Sequence, residues 1–212
     1  MSLKAYKTLM KRGEEEFIVN KSRFIGHGAP AQSEDEALDF LKEMRTRYKD
    51  ANHNCYAYII GANMGIMRYS DDGEPGGTAG MPIIEVMKAR QVTNCAVVVT
   101  RYFGGILLGA GGLVRAYTQG AASALDASGI GIMHPTARYL MDVDYAILGR
   151  VEHFLKDMPC IVEEKVFAET VTLTVIMRTV DEPELIQSLV TAMDGRIEPI
   201  WFEEMYLAWS EE

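Results

Sequence analysis

The sequence predicts an α+β protein of two domains, residues 1–135 and 136–212, and three observations carry that reading. The chain after Pro135 runs strand-helix-strand-strand-helix-strand, the ferredoxin-like order. The charge breaks at the same place: Met1–Pro135 holds 15 Lys+Arg against 14 Asp+Glu, and Thr136–Glu212 holds 6 against 16. Finally, 212 residues with 48% hydrophobic and 24% charged side chains exclude a disordered, collagenous or disulfide-stapled chain and suit one large or two small cores.

The first domain opens on two strands, Glu15–Asn20 and Arg23–Ala31. A helix follows from a capping box, with Ser33 as N-cap and Glu36 three residues on. Its apolar positions Ala37, Leu38, Leu41, Met44 and Tyr48 repeat at the helical period. His53–Gly61 and Ile66–Ser70 read as strands. The segment SDDGEPGGTAG is a turn-rich loop leading to a helix at about Pro82–Arg90. Asn94–Tyr102 is rich in valine and apolar enough to be buried on both faces. After FGGILLGAGG comes a long helix, about Leu113–Ser128, whose alanines and glycines imply close packing. His134-Pro135 marks the expected boundary.

In the second domain Arg138–Asp144 is a strand and Ala146–Asp157 a helix with Leu148, Val151, Phe154 and Leu155 on one side. Cys160–Phe167 and Thr170–Arg178 are strands, the latter alternating Val171, Leu173, Val175 and Met177 against polar neighbours. Asp181 caps the next helix, with Pro183 in its first turn. Ile197–Leu207 closes the domain.

The glycine loop is the most informative segment. Arg101, Tyr102, Phe103, Gly104 and Gly105 end a strand, and Gly109, Gly111 and Gly112 lead into a helix carrying Arg115. Free backbone N–H groups at a helix start, with no Cβ in the way, form an anion site. The phosphate loop Gly-x4-Gly-Lys-Ser/Thr is absent, because no lysine lies between Lys88 and Lys156. The fingerprint GxGxxG fails at Val114. A purely structural role for the glycines competes with anion binding. A β-branched residue at Gly111 or Gly112 is costly, about 1 kcal/mol or more, if the position needs positive φ; ordinary helical angles with buried N–H groups would make the loop structural.

Asp71, Asp72 and Glu74 resemble a cation loop only loosely, and a solvated turn is the better reading. His53 and Cys55 share a strand face about 6.6–7 Å apart at ~3.3 Å per residue, too far for a direct dyad. His27, His134 and His153 form no metal spacing, so no metal is expected. Cys55, Cys95 and Cys160 read as reduced thiols of a cytoplasmic protein. No apolar stretch approaches the ~18–20 residues of a membrane helix, and Met1–Arg12 has no apolar run behind its lysines, so neither membrane nor secretory signal is expected. Tyr56, Tyr58, Tyr102 and Tyr117 would offer stacking faces for bases if exposed.

The segments HNCYAYIIG, SDDGEPGGTAGMPI and VVVTRYFGGILLGAGGLVRAYTQGAASAL, in that order, resemble the YigZ/Impact family over Asn52 to about Leu125. The resemblance implies a first domain similar to a domain of a small-subunit ribosomal protein, to domain IV of elongation factor G and to certain small-molecule kinases. That is an α/β sandwich. It implies a second domain similar to the ferredoxin-like last domain of the same elongation factor. Eukaryotic relatives regulate translation by binding a regulator of an initiation-factor kinase. They reach it through a further segment, so that role is not carried over whole. The family has no established enzymatic reaction, and no cofactor is implied.

The expectation is therefore a cytosolic, translation-associated protein that binds RNA or the ribosome, with a translation-control protein as a further partner and no catalysis. Binding is assigned to Arg101, Tyr102, Arg115, Arg68 and the backbone of Gly104–Gly112. Gln91–Leu125 holds two arginines and no carboxylate, a local charge of +2 inside a chain of −9. Two rivals stand beside it: an enzyme acting on a phosphorylated small molecule at the same loop, and an adaptor whose acidic domain meets a basic protein. Against the enzyme, Gly112 is followed by Leu-Val-Arg where the kinase relatives have serines.

Overall fold

The computed structural model describes residues 4–209. Ala5–Ile132 forms one compact unit, and the chain from Met133 forms another.

The first unit contains β1 (Tyr6–Leu9), β2 (Gly13–Val19), β3 (Ser22–Pro30), α1 (Glu34–Arg47), β4 (His53–Ile60), β5 (Ile66–Ser70), α2 (Gly80–Ala89), β6 (Cys95–Tyr102) and α3 (Gly109–Ser128). Its sheet runs β2-β3-β6-β4-β5 and is antiparallel throughout. The valine strand β6 sits at the centre, buried from Cys95 to Arg101. Strand alternation divides it between two cores. Val97 and Val99 pack with α2 and α3, while Ala96 and Val98 pack with α1. The unit is thus a sheet with helices on both faces, as expected. The small residues of α3 are explained at β3, where a Cβ on Gly26 would stand 2.2 Å from the Gly120 carbonyl oxygen.

The α1 cap forms as expected: Glu36 N donates to Ser33 Oγ at 3.2 Å. The return contact goes one residue further, from Gln32 N to the Glu36 carboxylate at 2.8 Å. Leu38, expected on the buried side of α1, is exposed, and Phe40 is buried instead. Strand β1 was not apparent in the sequence, being only four residues long.

The second unit contains β7 (Ile130–Val143), α4 (Tyr145–Lys156), β8 (Cys160–Phe167), β9 (Val171–Arg178), α5 (Glu182–Ala192) and β10 (Ile200–Ala208). Its antiparallel order β10-β7-β9-β8 is the ferredoxin-like arrangement that the element order predicts. Met141, Val143, Leu173 and Val175 meet Val151, Leu155, Leu185 and Leu189 in one core. Two details differ from expectation. Strand β7 begins at Ile130 rather than Arg138, and Pro135 lies inside it, in register with Tyr206 of β10. The chain therefore passes from one unit to the next in a strand rather than a loop. Asp181 stands at the α5 N-cap position, but its carboxylate accepts from Arg178 Nε at 2.7 Å instead of capping.

Candidate binding site at the glycine loop

The glycine loop leaves β6 at Phe103 and enters α3 at Gly109, a full turn earlier than the sequence suggests. Gly109, Gly111 and Gly112 thus belong to the first helical turn. The glycines with positive φ are Gly105 (83°) and Gly109 (68°), not Gly111 and Gly112. The expectation of a special backbone at the latter pair fails, because both lie inside the helix. Gly104 has a different reason: a Cβ there would stand 2.0 Å from the Lys21 carbonyl carbon. Only glycine lets the loop touch the β2–β3 turn, where Asn20 and Lys21 take φ of 47° and 65°. Leu108 at the N-cap position provides no side-chain acceptor, and Gly109, Ala110 and Gly111 are exposed. The first turn of α3 is exposed, and its leading N–H groups have no intrahelical acceptor.

The cations are arranged differently from the expected basic face. Arg101 is buried, with a side chain 6% exposed, and donates from Nη1 to Glu74 Oε1 at 2.7 Å. Its Nη2 reaches Ser22 Oγ at 3.4 Å, and its guanidinium lies between the rings of Phe24 and Phe103. Nε has no partner. This arginine is one half of a buried ion pair, not a surface charge. Tyr102 donates its hydroxyl to Asp50 and carries Arg23 over its ring at 5.2 Å. Tyr117 is fully buried and offers no stacking face. Arg68 stands opposite Tyr58 in the β4–β5 register, beside Glu34 of α1, on the sheet face away from α3. Arg115 is exposed, in the second turn of α3, and forms no ion pair among the described residues. Lys21, whose backbone abuts Gly104, is a second exposed cation there, invisible in the sequence because 82 residues separate β3's start from Gly104.

The acidic loop is not a solvated turn. Asp71 accepts from Gly77, Ala79 and Gly80 N–H at 2.8, 3.0 and 2.8 Å, which ties the loop to the start of α2. Burial alone would raise the Asp71 carboxyl, but these three donors together hold it below its usual range. Asp72 accepts from Asn54 N at 2.6 Å. Glu74 is turned inward and buried, its Oε1 also accepting from Tyr117 Oη at 2.7 Å. Burial pushes both the Tyr117 hydroxyl and the Cys55 thiol well up. Cys55 donates to the Asp71 carbonyl at 2.9 Å and is no nucleophile in this state. His53 Nδ1 lies 2.9 Å from the Asp72 carbonyl, and Nε2 lies 3.9 Å from Glu74.

A pocket of about 450 Å³ opens between the two loops, with His53, Glu74, Arg101 and Asn52 as its polar side chains and Phe103, Leu113 and Gly109 among its walls. Sequence reasoning set His53 and Glu74 aside. A signal for them existed, since each of the three segments that carry the resemblance contributes one polar side chain here. Strand β4 supplies His53, the loop before α2 supplies Glu74, and β6 supplies Arg101.

The comparisons cover both units. Residues 20–125 match the Impact N-terminal domain and residues 141–196 match a domain of unknown function, DUF1949. IMPACT family member YvyE of Bacillus subtilis is 42% identical over 175 residues, covering 80% of this chain and 78% of that protein. IMPACT family member YigZ of Escherichia coli is 38% identical over 139 residues, 65% of this chain and 68% of that one. Protein IMPACT of Rattus norvegicus is 36% identical over 94 residues, which span 42% of this chain and only 29% of the rat protein. A crystal structure described as that of a hypothetical protein aligns with a TM-score of 0.62 at 29% identity, over 95% of this chain and 99% of that one. With both domains matched in order, and most of the Bacillus relative covered, the chain belongs to the IMPACT family.

Proposed function

We propose that the chain is a cytoplasmic, translation-associated protein whose first unit binds RNA, in the setting of the ribosome, through the start of α3 and the cations beside it. The observation that carries this reading is the exposed first turn of α3 with Arg115 one turn away and no acid on that residue. Lys21 adds a second cation across Gly104. Gln91–Leu125 contains no carboxylate, so phosphates meet no local repulsion from this segment. Helix-start N–H groups and exposed cations suit a phosphate backbone. Membership of a family whose relatives are tied to translation supports the same setting. Of the residues assigned from sequence, Gly109, Gly111 and Arg115 remain in the interface, while Arg101, Tyr102 and Arg68 leave it. No catalytic step is assigned.

The test is RNA and ribosome binding by the full chain across a salt series. A few phosphate contacts give a salt slope of only a few units, so binding is expected at low salt and weakens steeply toward physiological salt. Lys21→Ala with Arg115→Ala should lower affinity for all sequences alike and reduce the slope by about 2. An unchanged slope would remove the interface from α3.

A further inference from the structure

The pocket under the glycine loop holds groups that phosphate binding does not use. Glu74 Oε1 is taken by Arg101 and Tyr117, each at 2.7 Å. Oε2 accepts no hydrogen bond among the described residues, and it is not closed off from solvent. The second group is His53. Its Nδ1 faces a carbonyl, which can only accept, so in the neutral tautomer that donates from Nδ1 the Nε2 presents a lone pair. That Nε2 lies 3.9 Å from Glu74 Oε1, the oxygen already taken, so it flanks the carboxylate whose Oε2 is open. An imidazole acceptor beside such a carboxylate calls for a ligand with two neighbouring donors. The Arg101 pair is what keeps one of them in place: a buried Arg–Glu pair stabilises a fold no better than apolar side chains of similar volume, but it does fix an ionised carboxylate in one orientation. Above these acceptors stands Phe103, whose ring rests on Arg101 while the residue stays 46% exposed. The third side is the start of α3, at Gly109 and its free N–H groups.

We propose that this pocket takes one ribonucleotide. The ribose 2′- and 3′-hydroxyls donate to Glu74 Oε2 and His53 Nε2, the base stacks on the open face of Phe103, and the phosphate meets the N–H groups at the start of α3. A cavity of about 450 Å³ has room for such a ligand. Vicinal hydroxyls on a carboxylate, and a base on an aromatic face, are the contacts that separate ribonucleotides from other phosphate esters and from DNA. The same chemistry has two sources, a free mononucleotide or the unpaired 3′-terminal nucleotide of an RNA chain, which alone in that chain keeps both hydroxyls. Only the second source rests on the RNA-binding reading above.

The experiment titrates the full chain calorimetrically with 5′-AMP, with its 2′,3′-dideoxy counterpart, with a hexa-adenylate RNA and with the matching DNA. The dideoxy nucleotide should bind about tenfold more weakly or worse, because Glu74 and His53 are both left without donors, and the DNA, which lacks the 2′-hydroxyl, should leave one of them unpaired and also bind more weakly than the RNA. Phe103→Ala should weaken the ribo-ligands about five- to a hundredfold, the range of base–aromatic stacking, and this exposed ring can be removed without unfolding the chain. Glu74→Gln should also weaken them, with circular dichroism confirming the fold. Binding of AMP without RNA would uphold the pocket and remove the RNA reading. Ribose-dependent binding of RNA without AMP would uphold both and name RNA as the source. RNA binding that ignores the 2′-hydroxyls and Phe103 overturns the pocket proposal while leaving the α3 interface standing. Absence of binding by every probe overturns both.

Discussion

Replacing Glu74 by leucine strands the Arg101 guanidinium in a place from which it cannot easily escape. The two side chains are only 6% and 3% exposed, and Nη1 loses its sole carboxylate partner. Nε already lacks one, and Nη2 keeps only a long contact to Ser22. Breaking a buried pair from one side costs about 3–5 kcal/mol. The Tyr117 hydroxyl also loses its acceptor, roughly another 1 kcal/mol or more. Because the pair borders an open pocket, water can reach part of the freed charge, so the lower end, about 3 kcal/mol, is expected. Urea unfolding reads it: at roughly 1–3 kcal/mol per molar, the midpoint should fall by about 1–3 M. The companion variant Glu74→Leu with Arg101→Met removes both charges and should recover most of the loss, since an apolar pair of similar volume is often neutral. A single substitution costing under about 1 kcal/mol would show that Arg101 is solvated despite its burial. A double substitution no better than the single would show that Glu74 acts through the loop backbone instead.

Three further outcomes follow from neighbouring features. Burial pushes the His27 imidazole down to about 4 from its ordinary 6.5, only partly offset by Glu14 at 3.3 Å. The unfolded chain therefore takes the proton first: His27 carries no penalty above pH ~6.5, and one on the order of 3 kcal/mol develops as the pH falls toward 4. Denaturation curves of the wild type and His27→Gln should converge across that window, and parallel curves would refute the assignment. Gly111→Ala meets nothing nearer than Arg115 Nη1 at 3.7 Å and should stabilise by about 0.5–1 kcal/mol, whereas Gly104→Ala drives a methyl into backbone at 2.0 Å and should destabilise by about 1–3 kcal/mol. Thermal melts of the two variants settle the pair, and equal melting temperatures would contradict the loop geometry. Arg101→Ala should lower the melting temperature without changing the salt slope of RNA binding, the reverse of Arg115→Ala, and a flattened slope would return Arg101 to the interface.

The fold was legible wherever one side-chain period ran unbroken. Alternation in β9 and the helical period of α4 each involve one buried face, and the element order after Pro135 is enough to give the ferredoxin-like sheet. The continuous valines of β6 announce burial on both faces, and α1 and α3 do cover both. What the sequence hid depends on pairing between distant segments. Four residues of β1 carry too little pattern to stand out. Pro135 looks like a break because proline cannot donate to a ladder, yet a strand accepts it at a position where no N–H is required. The start of α3 was missed for a related reason: three glycines in its first turn have the lowest helix propensity short of proline, and tertiary packing overrides them.

The glycine loop was legible as a segment, but the places its charged side chains take in the fold were not. A local charge of +2 is counted from residues alone, and the count treats Arg101 and Arg115 as equals. In the folded chain one is 6% exposed and bound to Glu74, while the other stands in solvent with no acid partner among the described residues. What separates them is strand register. Arg101 is the last buried position of β6, where alternation turns its side chain toward Phe24 and α3, and the acidic loop brings Glu74 to meet it from 27 residues away. Counting charges also placed Glu74 among the solvated acids, though it is the acid that neutralises the arginine. The two errors have one cause: both treat as solvated two side chains that the fold pairs with each other in the interior.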